Sequence, residues 1–301
     1  MALYEQIKDS SWNIKEEFFK NNFHPCRFCP RECRSEREDN HTGTCLAGKE
    51  LRIASHNLHF GEEPPISGVT GSGTIFFSGC TLKCIFCQNF PISQLNNGKN
   101  YSIEELSSIL IDLQNRGAHN INLVSPTQYL LHFVSALRIA AGKGLNIPIV
   151  FNSGGYERIE VIKELENIVD IYMPDFKYSD PEISKKYSGV SDYPETAFRA
   201  ISEMYRQVGP LKTDKNDIAV KGVIIRHLIL PGHKENSINV LKKIGGSNFR
   251  NSYLSLMSQF FPAYRSTDNK EIQRRLTPEE YEEVKSIALE VGLVNGWFQD
   301  I

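Results

Sequence analysis

The sequence predicts an α/β fold, a partial (β/α)6 barrel preceded by an N-terminal cysteine-rich module. Three observations carry this reading. From Ile75 onward, short apolar runs alternate six times with amphipathic helical segments, the pattern of a parallel sheet with helical crossovers. Each run ends in glycine, proline or small polar residues, where a strand gives way to a loop. All seven cysteines of the 301-residue chain lie between Cys26 and Cys87, so its front is built differently from the rest. Six units suit a partial barrel, and a full eight-unit barrel would be short of chain.

The elements follow in order. Leu3, Ile7, Trp12, Phe18 and Phe19 fall near helical spacing and predict an amphipathic helix over 1–22, lying on the surface of the body. Residues 23–50 hold four cysteines. A short strand is expected at 51–55, and Pro64, Pro65, Gly68, Gly71 and Gly73 then punctuate a connection. The chain accordingly divides into a helix with a cysteine-rich module, 1–69, and a barrel with a C-terminal helix, 70–301. Barrel strands are expected from 75, at 120–125, 147–152, 169–173, 220–230 and 253–258. Helices are expected at 101–116, 128–141, 156–165, 181–188, 194–208, 235–244 and 277–291. Ser102 with Glu105 three residues on reads as a capping box, Gly117 as its stop, and Thr277-Pro278 as a helix start.

Composition narrows the function. The chain is 40% apolar and 23% charged with a net charge of −2, ordinary for a soluble globular protein. Nothing in that balance favours capture of nucleic acid or of an anionic membrane. No apolar run approaches the roughly 20 residues of a membrane helix. The charged N-terminal stretch is unlike a secretory signal, so the expected location is cytoplasmic. There, an odd number of cysteines crowded into the first third points to metal binding rather than disulfides.

The cysteines split as four plus three. Cys26, Cys29, Cys33 and Cys45 follow a C-x2-C-x3-C-x11-C pattern. Residues 34–41 between them are almost entirely polar and build no core, which makes a metal a natural staple. Four thiolates saturate either a tetrahedral zinc or the four irons of a cubane cluster, and both stay open, with His24 and His41 as spare ligands. Cys80, Cys84 and Cys87, spaced C-x3-C-x2-C directly after the first strand, are three. A cubane held by three thiolates keeps one iron open to a ligand.

Reactive groups in parallel α/β architectures gather at the C-terminal strand ends. Those ends deliver the three cysteines with Phe86, then Ser125-Pro126-Thr127, Asn152-Ser153-Gly154-Gly155, Asp175-Phe176-Lys177, Arg226-His227, and Ser255, Ser258 and Gln259. Polar ends on apolar strands predict a pocket. The candidate ligand-binding set is Phe86, Ser125, Thr127, Asn152, Ser153, Asp175, Lys177 and His227. Arg226 and His227 should point to opposite faces, so only one of them lines the pocket. Tyr264 and Arg265 are candidates to cover it.

C-x3-C-x-aromatic-C after the first strand, with Phe86 as the aromatic, resembles the radical S-adenosylmethionine superfamily. Over about residues 70–270 the sequence is similar to proteins related to the pyruvate formate-lyase activating enzyme. Asp175-Phe176-Lys177 matches their Asp-Leu-Lys segment, and Ile225-Arg226-His227 with Pro231-Gly232 their strand-to-loop turn. The resemblance implies a partial barrel of the radical SAM type. It implies that Cys80, Cys84 and Cys87 hold a [4Fe–4S] cluster whose open iron chelates S-adenosylmethionine through its amino and carboxylate groups. Reductive cleavage would give a 5′-deoxyadenosyl radical that takes hydrogen from a substrate. The implied partners are a one-electron donor such as flavodoxin or ferredoxin and a protein substrate such as a glycyl-radical enzyme. Ser125-Pro126-Thr127 stands where the related enzymes carry Gly-Gly-Glu, which leaves the amino group without that carboxylate. Radical modification of a small molecule or another macromolecule, and a non-catalytic iron–sulfur regulator, are the alternatives.

Overall fold

Runs of β-branched and aromatic residues, apolar on both faces, suit strands covered by helices on one side and by each other's side chains on the other. In the computed structural model, which describes residues 2–39 and 41–301, a single helical turn (Leu3–Gln6) precedes helix α1 (Asp9–Phe23), which buries Trp12, Phe19 and Phe23. Strand β1 (Leu51–His59) and the short helix α2 (Pro64–Ser67) lead to β2 (Ser72–Phe77), which ends at the three-cysteine loop. Short helix α3 (Phe90–Ser93), β3 (Lys99–Tyr101) and α4 (Ile103–Asn115) follow. Next come β4 (Ile121–Val124), α5 (Leu130–Gly142), β5 (Ile149–Ser153), α6 (Ile159–Glu164) and β6 (Ile171–Pro174). Helices α7 (Pro181–Ser188) and α8 (Tyr193–Val208) precede β7 (Lys212–Thr213) and β8 (Ala219–Leu228). The chain closes with α9 (Lys234–Gly245), β9 (Tyr253–Met257), α10 (Pro278–Glu290) and β10 (Gly296–Phe298).

Among the described residues the strand order is β10-β9-β8-β6-β5-β4-β2-β1-β3, with β7 pairing β8 off this path. The six strands expected from sequence are β2, β4, β5, β6, β8 and β9, and they run parallel in that order. The strand expected at 51–55 is β1, which runs on to His59, but its place in this sheet and the strands β3 and β10 were not foreseen. Strand β10 extends the sheet as a seventh parallel strand beside β9, and β1 runs antiparallel to β2 with β3 on its outer edge. The cysteine-rich front therefore shares a sheet with the barrel through β1.

Local signals account for the helix ends. Ser102 Oγ accepts from Glu105 N at 3.1 Å while Glu105 Oε2 accepts from Ser102 N at 2.7 Å, a reciprocal capping box. Thr277 and Glu280 repeat it at α10. Helix α8 buries Tyr193, Ala197, Ala200, Ile201, Met204 and Val208, a continuous stripe three to four residues apart, and packs it on β8 and β6.

Inside the barrel, Ile66 of α2 meets Val150, Ile171, Met173, Ala219 and Ile224, all buried. Asn120, just before β4, donates Nδ2 to the Ile66 carbonyl at 2.8 Å and accepts from Ser72 Oγ at 2.6 Å. Helix α2 thus stops the end of the barrel where the parallel strands begin. The opposite end, where they finish, is left for a site.

Candidate active site

Strand ends place the expected groups around one cavity of about 230 Å³. The β2 loop contributes Cys80, Cys84, Phe86 and Cys87; Ser125 follows β4; β5 gives Asn152 and Ser153, with Gly154 just after it; Asp175 and Lys177 follow β6; β8 gives Arg226. Val124, Leu228 and Met257 supply apolar wall, and Phe86 packs on Phe260 with ring centroids 5.9 Å apart. A larger groove of about 590 Å³ between residues 3–15 and 164–167 is lined by no thiol or histidine, its charges being Lys8, Lys15 and Glu164, and marks where the N-terminal segment lies on the body.

The three thiols share this cavity, and their surroundings suit thiolates. Cys84 Sγ lies 2.9 Å from Ser188 Oγ, itself 2.7 Å from the Tyr178 hydroxyl, and Cys87 Sγ lies 3.0 Å from Ser93 Oγ. Burial pushes the Cys80 thiol up to about 12 and the Cys84 thiol to about 11, with the Lys177 cation drawing both back. A metal bound by these three groups would hold them as thiolates. Among the described residues no fourth cysteine lines the cavity, so a cubane on this loop would have one iron without a cysteine ligand. The donor set fits.

Charge at the far wall is organised around Asp175. Its Oδ1 accepts from Arg226 Nε at 2.9 Å, and Lys177 Nζ pairs with its other oxygen. Burial raises the Asp175 pKa, but the Arg226 and Lys177 cations outweigh it and hold the carboxyl below its ordinary value. Among the described residues Asp175 is the one carboxylate lining the cavity, and both its oxygens already face cations.

Two expected residues sit elsewhere. Asp175 bridges Arg226, and that register turns Arg226 into the cavity and His227 to the helix side. His227 is completely buried with Nδ1 2.7 Å from the Phe176 carbonyl, and burial lowers its pKa to about 4. Thr127 lies beside the cavity rather than in its lining, and donates Oγ1 to Glu157 Oε2 at 2.9 Å. Burial pushes the Glu157 carboxyl up to about 8, opposed by hydrogen bonds from Thr127 and Ser153. Ser125 takes φ +54°, and its carbonyl accepts from Gln128 Nε2 at 2.8 Å, which also holds the carbonyls of Ser78 and Gly79. Tyr264 stacks on Phe90 at 5.1 Å, and Gln88 Nε2 donates to the Gln259 carbonyl at 3.1 Å, so the segment after β9 braces the cysteine loop.

Sequence reasoning passed over Ser93, Ser188 and Glu157. A hydroxyl that meets a thiol from 104 positions away leaves no local trace. Alternation put only one of Arg226 and His227 in the pocket, and the structure makes it Arg226, two residues on from Ile224 of the inner cluster.

Residues 74–244 match the Radical SAM superfamily. The chain belongs to that superfamily. Membership implies a [4Fe–4S] cluster and S-adenosylmethionine. Over 300 residues the chain is 33% identical to an uncharacterized protein of Methanocaldococcus jannaschii, the match covering 96% of this chain and 81% of that one. Among solved structures it is similar to native anSMEcpe with bound AdoMet, at 15% identity and a TM-score of 0.48, covering 71% of this chain and 57% of the other. The hexahistidine-tagged form of that protein, also with bound AdoMet, gives 15% identity and a TM-score of 0.45 over 69% and 55%. The chain thus spans a little over half the length of those solved structures. Among the described residues no helix is long and apolar enough to cross a membrane.

Proposed function

We propose that this protein binds S-adenosylmethionine over a [4Fe–4S] cluster held by Cys80, Cys84 and Cys87, and cleaves it reductively to abstract hydrogen from a substrate. The observation that carries this is the convergence of three thiols, and no fourth, on a cavity walled by the ends of β4, β5, β6 and β8. When bound, the cluster supplies one electron to the sulfonium, and S-adenosylmethionine becomes the source of the radical.

The chain's own part is binding, orientation and exclusion of water. Ser188 and Ser93 hydroxyls donate to two of the thiolates and fix their direction. Asn152 and Ser153, both buried at the end of β5, offer an amide and a hydroxyl to the ribose. Phe86 and Met257 keep water from the reacting centre. The methionine amino group meets the backbone and hydroxyl of Ser125 in place of the Gly-Gly-Glu carboxylate, because Asp175 is already held by Arg226 and Lys177. A low-potential donor of the flavodoxin or ferredoxin kind supplies the electron. In the full chain, loaded anaerobically and reduced, added S-adenosylmethionine is expected to change the electron paramagnetic resonance spectrum of the three-cysteine cluster. An unchanged spectrum at saturating concentration would count against the binding mode.

Activation of a glycyl-radical enzyme is the finer reading, supported by Asp175-Phe176-Lys177 and by the Ile225-Arg226-His227 turn. Its test is a glycyl-radical signal on a partner enzyme incubated with this protein, reductant and S-adenosylmethionine.

A further inference from the structure

Thr81 faces a second hollow, lined also by Cys26, Cys29, Cys33 and Cys45, while its neighbours Cys80 and Leu82 line the cavity just described. The two cysteine groups therefore share a wall one residue thick. Gly79, at φ +77°, has no room for a side chain because the Cys45 carbonyl occupies that place. Arg31 Nε donates to the Thr81 carbonyl at 2.7 Å, fastening the same seam.

The hollow also holds a buried charge. Arg37 is 1% exposed, and among the described residues no carboxylate pairs with it. Its guanidinium lies over Phe23 and Phe28 at 5.3 and 5.6 Å, donates Nη1 to the Gln128 carbonyl, and points Nη2 at Cys45 Sγ, 3.8 Å away; Nε is buried and unpartnered. A cation so enclosed needs an anion, and the thiols are the groups that can provide one when a metal deprotonates them. Zinc would draw four sulfurs to about 3.8 Å from one another, given Zn–S bonds of about 2.3 Å. Among the described residues, the set of three or more ligand atoms lying within 4.8 Å of one another is His24, Glu36 and Asp39, and the cysteines form none. A cubane is wider and holds its thiolates farther apart.

We infer that Cys26, Cys29, Cys33 and Cys45 hold a second, fully ligated [4Fe–4S] cluster, balanced by Arg37, that passes electrons from a low-potential flavin or iron–sulfur protein to the three-cysteine cluster. Cys33 is exposed, with Cys26, Cys29 and Cys45 buried, whereas none of Cys80, Cys84 and Cys87 is exposed, so the side of the outer group at Cys33 is the one a donor can reach. One electron leaves the donor and takes the four-cysteine cluster from 2+ to 1+. It then moves across the Cys45–Gly79 seam, returning that cluster to 2+, and no bond or proton is moved. Only the electron's destination rests on the function proposed above.

The test uses the full chain carrying Cys80→Ala, Cys84→Ala and Cys87→Ala, purified without oxygen. Expected are about four irons and four sulfides per chain, little zinc, and uptake of one electron. Zinc in place of iron, or a cluster that low-potential reductants leave oxidised, overturns the proposal. In the same background Arg37→Met should lower the midpoint potential, since a nearby cation favours the reduced, more negative cluster; an unmoved potential removes Arg37 as counter-ion. For the relay, Cys29→Ser in the otherwise native chain should lose reduction by a flavodoxin-class donor while dithionite still reduces the three-cysteine cluster. Undiminished reduction by the protein donor overturns the relay. Should that variant fail to fold, iron in the native chain, about eight atoms against about four, decides the second cluster. Failure of the three-cysteine reading would leave the result on the triple variant untouched.

Discussion

Arg226 and Asp175 meet across neighbouring strands, Nε to Oδ1 at 2.9 Å, and with Lys177 they form one buried charged unit at the mouth of the barrel. Removing Asp175 would strand two cations. We expect Asp175→Asn to lower unfolding stability by about 3–5 kcal/mol, the cost typical of breaking a buried pair from one side. Adding Arg226→Met should recover part of that loss. Urea unfolding of the single and double variants gives the coupling, and additive losses would contradict a shared unit.

The sequence made the alternation of strands and helices legible because each barrel strand is an apolar run closed by turn residues, as at Ile149–Ser153 before Gly154-Gly155. The cysteine loop was equally plain, since the spacing of Cys80, Cys84 and Cys87 is a local property. What escaped depends on distant partners. Gly296–Phe298 is too short to announce a strand, and pairs with β9 because α10 returns the chain to that edge. Arg37 lies in a stretch so polar that only a metal was expected to staple it, yet Phe23, Phe28 and Gln128 enclose it. Strand β8 is buried on both faces, so its sequence alone does not say whether Arg226 or His227 turns inward.

Ser188 gives a test of the thiolate environment. Its hydroxyl lies 2.9 Å from Cys84 Sγ, and hydrogen bonds to cluster sulfurs raise reduction potentials. Ser188→Ala should retain iron but shift the three-cysteine cluster to lower potential in a redox titration. An unshifted potential would show that the hydroxyl serves Tyr178 alone.

Glu157 predicts a pH dependence. Burial lifts its folded pKa to about 8 from an ordinary 4.5, so the folded state keeps a proton that the unfolded state releases. The stability from this group is complete below the unfolded value and is lost as pH rises through the folded one. Urea midpoints of the native protein should fall from about pH 6 to about pH 9, and those of Glu157→Gln should fall less. Equal slopes would mean that Glu157 is ionised when folded.

Gly79 tests the seam between the two cysteine groups. Gly79→Ala meets both a left-handed backbone and the Cys45 carbonyl. The loss should exceed the roughly 1–2 kcal/mol that the conformation alone costs. Chemical denaturation measures it, and a smaller loss would mean that the front of the chain yields easily.

The most direct test of the central claim is product analysis on the full chain, loaded with iron and sulfide without oxygen and given dithionite and S-adenosylmethionine. The account predicts 5′-deoxyadenosine and methionine in equal amounts, dependent on reductant, and none from Cys84→Ala. Cleavage that survives in Cys84→Ala, or a native protein with intact clusters and no 5′-deoxyadenosine, with and without candidate substrates, would contradict it.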